Sequence, residues 1–138
     1  MLFVGAYERQ LDDKGRVALP SRFRGGLGEH CYLAKGTGKC LTVVPAEVFE
    51  AEAEQMRVRV AAGEVPMNHL RALAGSAQMV TIDKQGRVNV DEALRAYAGL
   101  VTEAPVTVAG AFDRLEIWTP DRYARVDADA SNEMAGDE

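Results

Sequence analysis

Apolar residues cluster in short runs along this chain, and the runs follow one order twice. Leu2 to Arg9, with Phe3, Val4 and Tyr7, predicts an opening strand. Gln10 to Leu19 predicts two short strands about Asp13-Lys14-Gly15, where glycine supplies a positive φ. Pro20-Ser21 opens a short helix that fails at Gly25-Gly26 and Gly28. Cys31–Leu33 and Leu41–Val44 then flank a Gly36–Lys39 loop as a hairpin. Phe49, Ala53, Met56 and Val60 lie on one face of the longest helix, begun at Pro45-Ala46-Glu47, and predict a core-facing stripe. A shorter helix runs from Pro66 through Leu70 and Leu73 to Gly75. In the second pass Asp91 caps a helix over 92–98 stopped by Gly99. Val106–Val108 and Leu115–Trp118 form the second hairpin, and Thr119-Pro120 opens a last helix through Val126. From Asp127 onward the residues are small and acidic without periodicity, which predicts a frayed tail.

The two passes are an internal repeat. Leu11–Arg24 recurs without a gap as Ile82–Arg95, with Asp12, Gly15, Arg16, Val17 and Arg24 identical to Asp83, Gly86, Arg87, Val88 and Arg95. Downstream, Gly36, Leu41, Val43, Val44 and Phe49 match Gly110, Leu115, Ile117, Trp118 and Tyr123, which implies a three-residue insertion. Each half holds only about 50 residues, too few to bury a sufficient core alone. Two halves sharing one core predict a pseudo-two-fold, β-rich α+β domain. Its parts are a first motif (1–50), a helical connector (51–75), a second motif (76–126) and an acidic flexible tail (127–138).

Composition excludes several classes. No apolar run approaches the ~20 residues of a membrane span, and Met1–Gly5 lacks the basic region of a signal peptide; a cytoplasmic location is expected. Two cysteines, Cys31 and Cys40, are too few for a disulfide framework and fall where cysteine is a small buried hydrophobe. His30 and His69 lack ligand spacing, so no metal or other cofactor is expected. No nucleophile elbow, phosphate loop or zinc-protease motif occurs, and no catalytic residue is assigned. The net charge of −5 is unfavourable for a nucleic-acid binder, but 127–138 alone carries −5. Arg9 to Arg24 holds five basic against two acidic residues, whereas Asp83 to Arg95 holds three of each.

The repeated Asp-x-x-Gly-Arg turn is the candidate chemistry. Lys14 and Arg16 flank Gly15 and share a face in extended backbone. Asp12 and Asp83, with Gly15 and Gly86, orient the turns. An arginine held by an aspartate is a pre-set fork for a phosphate or a guanine edge. The plainer alternative is a solvated hairpin end in which Asp–Arg pairs only brace the turn. Recurrence of arginine in both copies favours recognition of DNA.

These motifs resemble the MraZ family of transcriptional regulators, in the SpoVT–AbrB (swapped-hairpin) superfamily. The likeness runs from Met1 to about Val126. It rests on Asp12–Arg16 and Asp83–Arg87, Pro20-Ser21-Arg22-Phe23-Arg24, Tyr97-Ala98-Gly99-Leu100 and Leu115-Glu116-Ile117-Trp118. The resemblance implies two tandem swapped-hairpin motifs in a β-barrel-like core with flanking helices, assembled as a ring homo-oligomer. It implies a non-enzymatic, nucleoid-associated regulator of the cell-division and cell-wall gene cluster, its own promoter included, that reads short direct repeats of double-stranded DNA. Lys14, Arg16, Lys84 and Arg87 are then the base-contact candidates, and Arg22 and Arg24 the phosphate contacts. The second copy departs from the pattern: Asp91 replaces a proline, Ala93 stands opposite Arg22, and Asn89 replaces an apolar residue. Asp91 and Glu92 repel phosphate, so a weaker second turn is expected. The alternative function is a protein-binding antidote or scaffold module of the same hairpin fold. Salt separates the two, because only phosphate binding weakens steeply with ionic strength.

Overall fold

A computed structural model describes residues 1–136. The order is β1 (Ala6–Gln10), β2 (Arg16–Ala18), α1 (Ser21–Leu27), β3 (His30–Lys35), β4 (Leu41–Pro45), α2 (Ala46–Ala61) and α3 (Met67–Ser76). It continues with β5 (Gln78–Thr81), β6 (Arg87–Asn89), α4 (Glu92–Ala98), β7 (Pro105–Gly110), β8 (Leu115–Trp118) and α5 (Pro120–Ala135). The fold is α+β. Among the described residues no helix is long and apolar enough to cross a membrane.

The two halves exchange strands. The six-stranded sheet runs β1-β7-β8-β4-β3-β5, and β2 pairs only with β6. β1 therefore crosses to the second half's hairpin, and its counterpart β5 to the first half's hairpin. The order is symmetric about the β4–β8 pairing, where Thr42 faces Glu116. All pairings are antiparallel, and the sheet ends at β1 and β5, so the barrel-like core forms without closing into a barrel. Gly5, at φ 93°, interrupts the opening strand; Phe3 makes a separate bridge to Phe112 and β1 begins at Ala6.

The repeat register is finer than the sequence pattern. α1 and α4 keep the offset of 71, but β3 and β7 show the same burial alternation at an offset of 75. The 99–104 loop exceeds the 28–29 loop by four residues, and the 111–114 hairpin loop falls one short of 36–40. Gly36 thus aligns with Ala111, not Gly110, although the net shift of three returns by α2 and α5.

One core serves both halves. Val17 and Val88, Leu19 and Val90, Phe23 and Leu94, and Leu33 and Val108 are equivalent pairs, all buried in a single cluster. Cys31 and Cys40 are free and buried, and burial lifts the thiols to about 11 and about 12, Cys40 with help from Glu116.

Two expectations fail here. The α2 stripe does not enter the core: no α2 residue is buried, and Ala53 is exposed. The helix is held near its start by Phe49 stacked on Tyr32 at 4.3 Å and by Glu52 bonded to Arg114. A cavity of about 360 Å³ bounded by Phe49, Glu52, Leu73 and Arg114 remains open. The acidic tail is not frayed over 127–135. Thr119 caps α5 by accepting from the Arg122 amide, Pro120 occupies the first turn, and the helix closes at Gly136 in the left-handed region. Its alanines carry the helix past the core, since they lose no side-chain entropy on ordering. Residues 137–138 of that predicted tail lie outside the described residues.

Candidate nucleic-acid interface

The β2–β6 ribbon places both repeated turns on one surface. Arg16 pairs with Asn89, Val17 with Val88 and Ala18 with Arg87. Val17 and Val88 face inward and are fully buried, so alternation puts Arg16, Ala18, Arg87 and Asn89 on the outer face. Arg16 and Arg87 lie diagonally across it. The turns bearing Lys14 and Lys84 sit at opposite ends of the ribbon, because the Leu19 amide donates to the Gly86 carbonyl and the Val90 amide to that of Gly15. Lys14 and Lys84 are exposed but not equivalent: Lys84 matches Asp13, and Gln85 matches Lys14.

Each aspartate builds its turn. Asp12 Oδ1 accepts the amides of Lys14 at 2.9 Å and Arg16 at 2.8 Å, and its Oδ2 accepts Arg16 Nε at 2.8 Å. Asp83 repeats the pattern with the Gln85 and Arg87 amides at 2.9 Å and Arg87 Nε at 2.9 Å. Gly15 and Gly86, at φ 82° and 78°, supply the left-handed corner. Bonds from the Arg16 amide, then its side chain, then the Lys14 amide hold the Asp12 carboxyl at about 2. Asp83 is lowered for the same reason, led by the Arg87 amide. Both are ionised at neutral pH.

The aspartates grip the arginines by Nε, the inner nitrogen, and the guanidinium ends remain partly solvated. The side chains of Arg16 and Arg87 are 32% and 28% exposed. Arg87 Nη1 also lies 3.8 Å from Asp12 Oδ2, so one carboxylate draws both arginines together.

The remaining candidates are placed differently. Arg22 is exposed, and its Nη1 donates to the Tyr7 hydroxyl at 2.7 Å. Tyr7 in turn packs edge-on against buried Phe23. Arg24 is turned inward: Nε and Nη2 donate to the Leu19 carbonyl at 3.0 and 2.8 Å, and the guanidinium lies over Gly86. Its counterpart Arg95 donates to the Val90 carbonyl at 2.6 Å and lies over Gly15. Arg95 was not among the candidates. Its exact recurrence in a copy whose neighbours had turned acidic was the available signal of an internal role. Asp91 accepts the Leu94 amide as the α4 cap and also holds Gln78 Nε2. Among the described residues no three His, Cys, Asp or Glu side chains are grouped to hold a metal ion.

The chain is similar to known proteins over almost its whole length. Residues 2–63 and 73–138 match the family model of the MraZ protein, described as antitoxin-like. A "Transcriptional regulator MraZ" from Nocardioides sp. is 38% identical over 98% of this chain and 92% of that protein. The protein of the same name from Kocuria rhizophila is 41% identical over 85% of this chain and 80% of its own length. That from Roseiflexus sp. is 38% identical over 94% and 92%.

Proposed function

This chain belongs to the MraZ family of transcriptional regulators, and we propose that it binds promoter DNA sequence-specifically through the outer face of its β2–β6 ribbon. The observation that carries this reading is the Nε grip of Asp12 and Asp83. It fixes each arginine's direction while leaving the terminal nitrogens for an incoming acceptor. A two-stranded ribbon fits the B-DNA major groove, and an arginine fork fits guanine O6 and N7. Lys14, Arg16, Lys84 and Arg87 supply the base-edge contacts, and exposed Arg22 a phosphate contact that fixes register.

Magnitudes favour several subunits acting together. One bidentate pair discriminates by about 1–3 kcal/mol, and a specific regulator needs roughly 4–10 kcal/mol over non-specific DNA. A ring homo-oligomer on short direct repeats gains the difference through effective concentration. A net charge of −5 supplies no general attraction to replace it. The role that follows is a cytoplasmic, nucleoid-associated regulator of the division and cell-wall gene cluster, its own promoter included.

Mobility-shift titration of DNA upstream of the protein's own gene tests the site. Arg16→Ala is expected to keep fold and oligomer and to lose about 10- to 100-fold in affinity. Wild-type affinity in that variant overturns the assignment. The antitoxin-like description of the family model keeps one competitor, a protein-binding antidote module. Its interface would withstand salt, whereas DNA binding here is expected to fall steeply as salt rises.

A further inference from the structure

We propose that Arg24 and Arg95 are positioning residues that act across the pseudo-two-fold, each seating the recognition turn of the opposite repeat. The inference rests on the DNA-binding reading above for its functional consequence, and on geometry alone for its mechanism.

Three contacts link Arg95 to the first turn. Its Nη1 donates to the Val90 carbonyl at 2.6 Å, and the Val90 amide donates to the Gly15 carbonyl at 2.8 Å. Arg95 Nη1 occupies the place a side chain at position 15 would take, so the guanidinium rests directly on the glycine backbone. Gly15 is the residue between Lys14 and Arg16, and any tilt of it re-aims both. Arg24 does the same for the second turn. Nε and Nη2 hold the Leu19 carbonyl, the Leu19 amide donates to the Gly86 carbonyl at 2.9 Å, and Arg24 Cζ occupies the place a side chain at position 86 would take. Gly86 adjoins Gln85 and Arg87. The first repeat thus seats the second repeat's turn, and the second repeat seats the first's.

Other roles fit these arginines less well. Neither forms an ion pair among the described residues, so neither is an ordinary salt-bridge brace. A phosphate contact needs a side chain that reaches outward, and both reach back to carbonyls of their own repeat while covering a buried glycine of the other. The arrangement also accounts for two features together. Glycine at 15 and 86 supplies the positive φ and leaves the guanidinium its seat, and arginine recurs at 24 and 95 although neighbouring residues diverge.

The test is a crossed pattern in the full-length protein. In hydrogen exchange without DNA, Arg95→Ala is expected to speed exchange of the Lys14 and Arg16 amides, which Asp12 accepts, and to leave those of Gln85 and Arg87 unchanged; Arg24→Ala is expected to do the reverse. In promoter binding, Arg95→Ala is expected to lose on the order of tenfold and to be non-additive with Arg16→Ala but additive with Arg87→Ala. Arg24→Ala is expected to couple to Arg87→Ala instead. The salt slope of non-specific binding stays at its wild-type value in both. A phosphate-contact role predicts a slope lower by about one and a uniform loss on all DNA, and that result overturns the proposal. Uncrossed coupling, or unchanged exchange in both variants, overturns it as well. If alanine unfolds the protein, Arg95→Lys and Arg24→Lys keep the charge and stem but cannot lie flat on the glycine, and they carry the same crossed expectation. If Arg16→Ala binds the promoter like wild type, the DNA reading fails while the exchange experiment still decides the seating.

Discussion

In the first turn Asp12 holds the Lys14 and Arg16 amides, and in the second Asp83 holds those of Gln85 and Arg87 at nearly the same distances. The residues identical between the copies build the turn and its seat: Asp12, Gly15, Arg16, Val17 and Arg24 against Asp83, Gly86, Arg87, Val88 and Arg95. The differences that face outward include Asp13 against Lys84, Lys14 against Gln85 and Arg22 against Ala93. Recurrence therefore marks the scaffold, and divergence marks the display. The recurrence of arginine, which pointed to DNA when only the chain was in view, has an internal cause as well, because each Nε braces its own turn. What points outward is the part of the guanidinium the brace leaves over.

If the scaffold is shared, breaking it should cost the same on either side. Gly15→Ala and Gly86→Ala each force an alanine into a left-handed corner, at about 1–2 kcal/mol, and displace a guanidinium besides. Each is expected to lower Tm by roughly 5–10 °C. Thermal melts that differ widely between the two variants would show that the turns do not share one scaffold. A smaller effect separates the displays. Arg87→Ala is expected to weaken promoter binding less than Arg16→Ala, because Arg16 flanks its glycine together with the cation Lys14, whereas Arg87 flanks Gly86 together with the uncharged Gln85. Titration of both variants against one promoter fragment decides it, and an equal or larger loss at Arg87 would abolish the asymmetry. Gln85→Lys gives the second turn the first turn's cation. It should tighten binding several-fold at low salt and steepen the salt dependence by about one phosphate's worth.

The smallest effect is in pH. Asp12 has its carboxyl held at about 2 in the folded chain against an ordinary 3.8. A lowered carboxyl stabilises the fold above its unfolded value, and that contribution disappears as pH falls from about 4 towards 2. Acid melts of Asp12→Asn are expected to be flatter than wild type across that window. Asp83→Asn should flatten the curve less, since Asp83 lacks the second arginine that approaches Asp12. Parallel melts of the two variants would remove that distinction.

Much of this arrangement was legible in the chain. The tandem motif, the turns, the Asp91 and Thr119 caps and both hairpins follow from local chemistry, since glycine, proline and capping side chains act on adjacent backbone. Pairing partners were not legible. Nothing near Ala6–Gln10 says that it lies against residues 105–109, because a strand edge accepts any strand of suitable register. The α2 stripe was misread for a related reason: periodicity shows which face is apolar, not whether this chain covers it. The helical continuation through 127–135 escaped notice because alanine between acids lacks an apolar rhythm, yet it loses little on becoming helical. The resemblance makes Arg24 a phosphate contact; its bonds to the Leu19 carbonyl, and its place over Gly86 of the other repeat, are visible only in the folded chain.

The exchanged edge strands also govern how the chain comes off the ribosome. β1 precedes every other strand of the fold, but its partner β7 emerges about a hundred residues later. Until β5 and β6 follow, the first half carries an unmatched β-ribbon strand and a hairpin short of its outer neighbour, and β1 waits longer still for β7. Closure depends on contacts far apart in the chain, which places this small protein among slow-folding topologies and leaves its early half open to mispairing with other nascent copies.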